Sequence, residues 1–149
     1  MRLPPALRRS ARCGRTVARC RTPRLTRKNL PGLTACSLCA GETLGEADTA
    51  PGGQLQRLRH LADSGVARLT TVDCLDACDR GDVVVARPSG ACRRTGARPV
   101  WFERLAGDEV TGELARWLRC GGPGVARLPD RLVGNVIQRS DPVPAGPAA

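Results

Sequence analysis

Two cysteine pairs constrain the fold of this chain more than any other feature. Cys36 and Cys39 form a C-x2-C pair, and Cys74 and Cys78 form a C-x3-C pair. Each pair directly follows a segment that is predicted to be a short strand, and an amphipathic helix lies between these strands. A strand–helix–strand unit of this kind requires parallel strands, so their carboxyl ends share one end of the sheet. We expect the four thiols to meet there, where open α/β sheets usually hold their sites.

The hydrophobic periodicity of the whole chain predicts an α/β fold with a mixed sheet. The expected element order is β-α-β-β-β-α, followed by a short C-terminal helix. The predicted strands cover residues 33–35, 66–72, 83–85 and 99–102, and the predicted helices cover residues 54–64, 108–118 and 130–138. Two segments rich in Gly and Pro, 41–53 and 88–99, are predicted to be loops.

The excess positive charge of the chain is confined to its N-terminal part. Residues 1–41 carry ten Lys and Arg and no acid, whereas residues 42–149 carry 14 Arg against 14 Asp and Glu. No aromatic residue is interleaved with the N-terminal arginines for base stacking, so we do not expect a nucleic-acid partner. The composition predicts a disordered basic leader over 1–32, one domain over 33–139 and a disordered tail over 140–149.

The sequence contains no signal for export or for membrane insertion. No window approaches the roughly 18 consecutive apolar residues that suggest a membrane span, and the N-terminal segment lacks the apolar core of a signal peptide. We therefore expect a cytoplasmic location and no membrane partner. In that compartment, clustered cysteines indicate metal or redox sites more often than disulfides.

Four paired thiols favour a metal centre over other chemistry. Thiolates are the ligands that iron–sulfur clusters, zinc and cuprous copper select, and a [2Fe–2S] cluster takes two of them for each iron. Zinc ribbons prefer two C-x2-C pairs about 15–20 residues apart, and the 34 residues between Cys39 and Cys74 fit that pattern poorly. Two alternatives stay open: a redox-silent zinc site with four cysteine ligands, and a dithiol oxidoreductase that uses Cys36 and Cys39.

Acidic residues surround the second cysteine pair. The segment 73–82 contains Asp73, Asp76, Asp79 and Asp82. Carboxylates beside an anionic cluster would lower its reduction potential and would offer a docking face to a basic partner. The alternative is an ordinary solvated acidic loop. No nucleophile–base arrangement and no phosphate-binding glycine loop is present, so we do not expect an enzyme.

Residues 73–88 resemble a known family. Their sequence, Asp-Cys-Leu-Asp-Ala-Cys-Asp-Arg-Gly-Asp-Val-Val-Val-Ala-Arg-Pro, is similar to the second half of the site in thioredoxin-like [2Fe–2S] ferredoxins. Three later features resemble the short actinobacterial members of that family: the Arg98-Pro-Val-Trp-Phe segment, the helix over 110–118 and Gly121-Gly122-Pro123-Gly124. The resemblance covers about residues 33–133.

The resemblance implies a thioredoxin-like fold, one [2Fe–2S] cluster and the transfer of single electrons to or from a reductase or an oxygenase. Separately from the resemblance, a homodimer is included among the expected assemblies. Matched by position, Cys74 and Cys78 correspond to the second ligand pair and Cys36 to the first ligand. Cys39 is the only local match for the remaining ligand, although the family usually spaces its first pair more widely. The alternative fourth ligand is Cys92, from the loop after the third strand.

Overall fold

The computed structural model describes residues 25–138, so the predicted leader up to residue 24 and the predicted tail lie outside the described residues. The described part is a mixed α/β fold with a four-stranded sheet and four α-helices. Its elements are β1 (Gly32–Cys36), α1 (Gly53–Asp63), β2 (Arg68–Val72), β3 (Val84–Arg87), α2 (Gly90–Arg94), β4 (Val100–Phe102), α3 (Asp108–Arg119) and α4 (Asp130–Val133), with one-turn 3-10 helices at Gly45–Ala47 and Cys78–Arg80. The predicted order is confirmed, with α2 as an addition.

The sheet is mixed, and its strand order is β2-β1-β3-β4. The crossover through α1 makes β1 and β2 parallel, as predicted, and Cys36 at the end of β1 lies opposite Val72 at the end of β2. β3 is antiparallel to both of its neighbours, β1 and β4. The carboxyl ends of β1 and β2 and the start of β3 therefore share one end of the sheet, which we call the thiol end.

The main core lies between one face of the sheet and the two long helices. The amphipathic patterns of α1 and α3 place Leu58 and Leu114 in the same buried cluster as Leu33 of β1. Phe102 of β4 meets Trp117 of α3 edge to face, with ring centroids 6.1 Å apart. Burying each large apolar side chain contributes about 1.5–3 kcal/mol, so this layer stabilises the packing of α1 and α3 on the sheet.

Three local predictions differ from the structure. The predicted loop 88–99 contains the short helix α2, because the Ser89 hydroxyl caps it by accepting the backbone N–H of Cys92 at 3.4 Å. The predicted helix 130–138 is shorter in the structure. It ends at Val133, because Val136 pairs with Phe102 in an isolated β-bridge instead of continuing the helix. Within the predicted leader, Leu30 is buried and Gly32 begins β1, so these residues belong to the packed domain.

Across residues 25–138, every helix is too short or too polar to cross a bilayer.

Candidate functional site

The parallel strands β1 and β2 carry the two cysteine pairs to the thiol end. Their pairing continues past the strands, because the N–H of Ser37 donates to the carbonyl of Val72 at 2.8 Å. The thiol of Cys36 also donates to the carbonyl of Asp73 at 3.3 Å. These bonds join the loop after β1 to the loop after β2 directly beside the sulfur atoms.

The four predicted site cysteines lie in a row at the thiol end. The pKa of Cys36 is shifted by the thiols of Cys39 and Cys78, which lie near it, and the Sγ atoms of Cys74 and Cys78 are 3.0 Å apart. The row runs from a buried end to an exposed end: Cys39 is 0% exposed and Cys36 is 2% exposed, whereas Cys78 is half-buried and Cys74 is exposed. The structure thus brings together all four residues that the sequence singled out.

Burial and hydrogen bonding shift the pKa values of three of these thiols: that of Cys36 is lowered, and those of Cys39 and Cys78 are raised. Burial opposes the ionisation of Cys36, but hydrogen bonds from the backbone N–H groups of Cys39 and Leu38 and from the neighbouring thiols lower its pKa below the usual value. Burial raises the pKa of Cys39 to about 11, and the neighbouring Cys36 adds to this. The hydrogen bond to Cys74, followed by burial, raises the pKa of Cys78 to about 12. Loading a metal here would therefore release protons from the site.

Backbone amides point at sulfur atoms in both loops. The N–H of Val83 donates to Sγ of Cys39 at 3.5 Å, and the N–H of Asp76 donates to Sγ of Cys74 at 3.2 Å. Hydrogen bonds of this kind stabilise negative charge on sulfur. The loops therefore supply both the thiols and part of the positive potential that a thiolate site needs.

Asp82 has a role that the sequence did not reveal. It is 2% exposed, and its carboxylate accepts the backbone N–H groups of Gly41 at 2.7 Å and of Thr43 at 2.8 Å. Its own N–H donates to the carbonyl of Cys39 at 3.1 Å. Asp82 thus fixes the loop that follows Cys39, and its assignment to an exposed acidic face is wrong because the carboxylate is turned inwards.

A small apolar layer, separate from the main core, supports the sulfur atoms. Val83 is 1% exposed and Ile137 is 8% exposed, and both pack against Cys36 and Cys39. Trp101 lies beside them, and its carbonyl accepts the N–H of Ile137 at 2.8 Å. The segment after α4 therefore packs against the thiol end. This contact joins residues that are far apart in the sequence, and no local sequence pattern indicates it.

Cys92, the alternative fourth ligand, lies elsewhere in the fold. It belongs to α2, which follows β3, and β3 runs antiparallel to β1. Cys92 is therefore at the opposite end of the sheet from Cys36, where it is buried beside Gly124. Cys120 is disulfide-bonded and so is not a candidate ligand. The geometry favours Cys39 over Cys92 as the partner of Cys36.

The sulfur atoms are adjacent but do not surround one point. In the part of the chain from 25 to 138, no group of three or more His, Cys, Asp or Glu side chains is placed so that it could hold a metal ion. The Sγ atoms of Cys74 and Cys78 are in contact at 3.0 Å, and Cys36 and Cys39 lie deeper in the fold.

Comparison with known proteins finds no family model, no curated protein and no solved structure that matches this chain. The resemblance to the thioredoxin-like [2Fe–2S] ferredoxins therefore stays a prediction from the sequence.

Proposed function

We propose that this protein is a small electron carrier whose thioredoxin-like domain holds one [2Fe–2S] cluster at the thiol end. The observation that carries the proposal is the convergence of both cysteine pairs on the thiol end, where Cys36 lies near Cys39 and Cys78 and the Sγ atoms of Cys74 and Cys78 are 3.0 Å apart. Two adjacent thiol pairs match the demand of a two-iron cluster, because each iron takes two thiolates. When bound, such a cluster supplies reversible one-electron transfer.

The spacing of Cys74 and Cys78 is compatible with binding one iron after a small adjustment. Two thiolates that bind one tetrahedral ion at about 2.3 Å lie about 3.8 Å from each other. The Sγ atoms of Cys74 and Cys78 are 3.0 Å apart, and Cys74 is exposed. Opening this pair by about 0.8 Å requires only a side-chain rotation in a loop of irregular backbone.

The protein residues would bind the cofactor, tune it and present it to a partner. The N–H groups of Val83 and Asp76 donate to sulfur atoms, and such hydrogen bonds raise the potential of an iron–sulfur centre. Exposed Cys74 gives a partner access to one edge of the site. Asp73, Asp76 and Asp79, which lie in the same segment as Cys74, are exposed. The proposed partner is accordingly a reductase or oxygenase with a basic docking face.

The two alternative functions use the same thiols differently. A zinc site with four cysteine ligands would have the same donors but would be redox-silent. A dithiol oxidoreductase based on Cys36 and Cys39 would need those sulfurs to reach a substrate disulfide, and both are buried. In addition, α1 begins only at Gly53, so no helix N-terminus lies next to Cys36 to activate it. We therefore rank this alternative last.

Anaerobic purification followed by metal analysis and visible spectroscopy tests the proposal. We expect broad sulfur-to-iron absorbance with about two irons and two sulfides per chain. About one zinc per chain without colour would replace the proposal with the zinc site. A metal-free protein that resists reconstitution with iron and sulfide would reject both metal functions.

Cysteine variants then test the ligand set. Cys39→Ser should abolish the absorbance or reduce the bound iron at least about tenfold, because one thiolate of the four is lost. Cys92→Ala is the matched control, since Cys92 is also buried but lies at the other end of the sheet. Equal loss of iron in both variants would contradict the assignment of Cys39.

A further inference from the structure

We propose that, in the metal-free protein, Cys74 and Cys78 form a reversible disulfide by exchange with a small-molecule disulfide such as oxidised glutathione. The inference rests on the proposed function in one respect, namely that the same two thiols would hold the cofactor. The disulfide would then act as a redox gate: the site accepts the cofactor only while this pair is reduced.

The distance between the two sulfur atoms of this pair is intermediate between that of a disulfide bond and that of two thiolates on one metal ion. The Sγ atoms of Cys74 and Cys78 are 3.0 Å apart, whereas a disulfide bond is about 2.05 Å long. Closure therefore requires a movement of about 1 Å, similar in size to the opening that a shared metal ion would require. Residues 73–77 between β2 and the 3-10 helix have no regular hydrogen-bonded structure, so the loop can adjust in either direction.

Exposure determines which thiol pair reacts. Cys74 is exposed and Cys78 is half-buried, whereas Cys36 is 2% exposed and Cys39 is 0% exposed. Thiol–disulfide exchange requires an in-line approach of the attacking sulfur to the substrate disulfide, so an inaccessible thiol reacts slowly. The small disulfide therefore meets Cys74 first, and Cys78 is the nearest resolving thiol.

The chemistry is two successive exchanges. The thiolate of Cys74 attacks one sulfur of oxidised glutathione, and the other glutathione leaves as a thiolate, which gives a mixed disulfide. The thiolate of Cys78 then attacks the sulfur of Cys74 and expels the second glutathione. The protein loses two electrons and two protons, one S–S bond forms, and one molecule of oxidised glutathione becomes two molecules of reduced glutathione. Excess reduced glutathione reverses the reaction.

The sequence provides a direct readout of this reaction. Cleavage after Lys and Arg releases Cys74 and Cys78 together in the peptide 69–80, and it releases Cys36 and Cys39 together in the peptide 29–57. Intramolecular closure of either pair lowers the mass of its own peptide by about 2 Da relative to the free dithiol and protects both sulfurs from alkylation, and a bond between the pairs joins the two peptides. The experiment treats the full metal-free chain with oxidised glutathione, stops the exchange with acid, alkylates the remaining thiols and compares the peptides.

We expect the peptide 69–80 to close at least about tenfold faster than the peptide 29–57, and we expect dithiothreitol to reopen it. Cys92→Ala, at the other end of the sheet, should close the 74–78 bond at the rate of the unmodified chain. Cys78→Ser should accumulate glutathione on Cys74, because the resolving thiol is missing. A lasting mixed disulfide on the unmodified chain, faster closure of 29–57 or a bond between the two peptides would each overturn the proposal.

The outcome is independent of the test for iron. A chain that binds iron and sulfide but does not close the 74–78 bond would reject the gate and leave the electron-carrier proposal standing. Closure in a chain that never binds iron would support the exchange reaction and reject the proposed cofactor. Where both hold, the oxidised chain should take up at least about tenfold less iron than the reduced chain, since two of its four thiols are blocked.

Discussion

Asp82 shows how one residue can position the thiol site without contributing a thiol. Its backbone has φ +40, in the left-handed region that Asp and Asn tolerate better than other non-glycine residues. This conformation turns the carboxylate inwards, where it accepts the N–H groups of Gly41 and Thr43. Both bonds hold the loop after Cys39, so the position of the most buried sulfur depends on this carboxylate.

We expect Asp82→Asn to destabilise the fold and displace that loop. Asn keeps the tolerance for positive φ but replaces one acceptor oxygen with an NH2 group, which would face a backbone N–H. Leaving a buried donor unsatisfied costs about 1–3 kcal/mol, and urea unfolding measures this loss in the free energy of unfolding. The control is Asp79→Asn at an exposed site in the one-turn 3-10 helix Cys78–Arg80, where the change should stay within about 0.5 kcal/mol. Equal effects of the two substitutions would show that the inward hydrogen bonds of Asp82 contribute nothing.

At the level of secondary-structure elements, a buried amide joins α1 to α3. Gln54 is 2% exposed, and its Nε2 donates to the hydroxyl of Thr111 at 2.9 Å. Its Oε1 accepts the N–H of Gly107 at 3.0 Å, just before α3 begins. Gln54 thus takes the place of a side-chain cap for α3, because the N-cap residue Gly107 has no side chain to provide one. The relative placement of the two helices depends on this amide.

Gln54→Leu keeps the approximate size of the side chain but removes the amide, so the N–H of Gly107 and the hydroxyl of Thr111 lose their partner. We expect the free energy of unfolding to fall by about 1–3 kcal/mol in urea titrations. Gln56→Leu, two residues later on a more exposed part of the same helix, is the matched substitution and should change it by less than about 0.5 kcal/mol. If Gln54→Leu were neutral or stabilising, packing rather than hydrogen bonding would hold the two helices together.

The elements themselves were predictable because their signals are local. Alternating and helical periodicities identified β1, α1, β2 and α3 to within two residues at most ends, and the crossover rule predicted the parallel strands and the shared end of the sheet. Asp82, Gln54 and Ile137 could not be predicted in the same way. Each acts through partners more than 30 residues away, such as Gly41 for Asp82 and Thr111 for Gln54. Their roles follow from the packing of the finished fold, which no local periodicity encodes.

At the scale of the whole molecule, the described residues pack in two separate apolar layers. The large layer lies between the sheet and the helices α1 and α3. The small layer contains Cys36, Cys39, Val83 and Ile137 and supports only the thiol end. The backbone bonds of Ser37 and Asp82 link the loops at that end to one another. The stability of the thiol end can therefore vary without unfolding the main core.

Removal of the cofactor should accordingly loosen one end of the molecule. A cofactor on both cysteine pairs would cross-link the loops 37–43 and 73–82, and its loss leaves them held by a few hydrogen bonds and a small apolar layer. Hydrogen exchange measured by mass spectrometry on the loaded and the metal-free protein should show amide exchange at least about tenfold faster in these loops after removal. The helix α3 is the internal control, and its protection should be unchanged, because Leu114 and Leu118 lie in the large layer. Equal loss of protection in α3 would mean that the cofactor holds the whole fold together and that the two layers unfold as one unit.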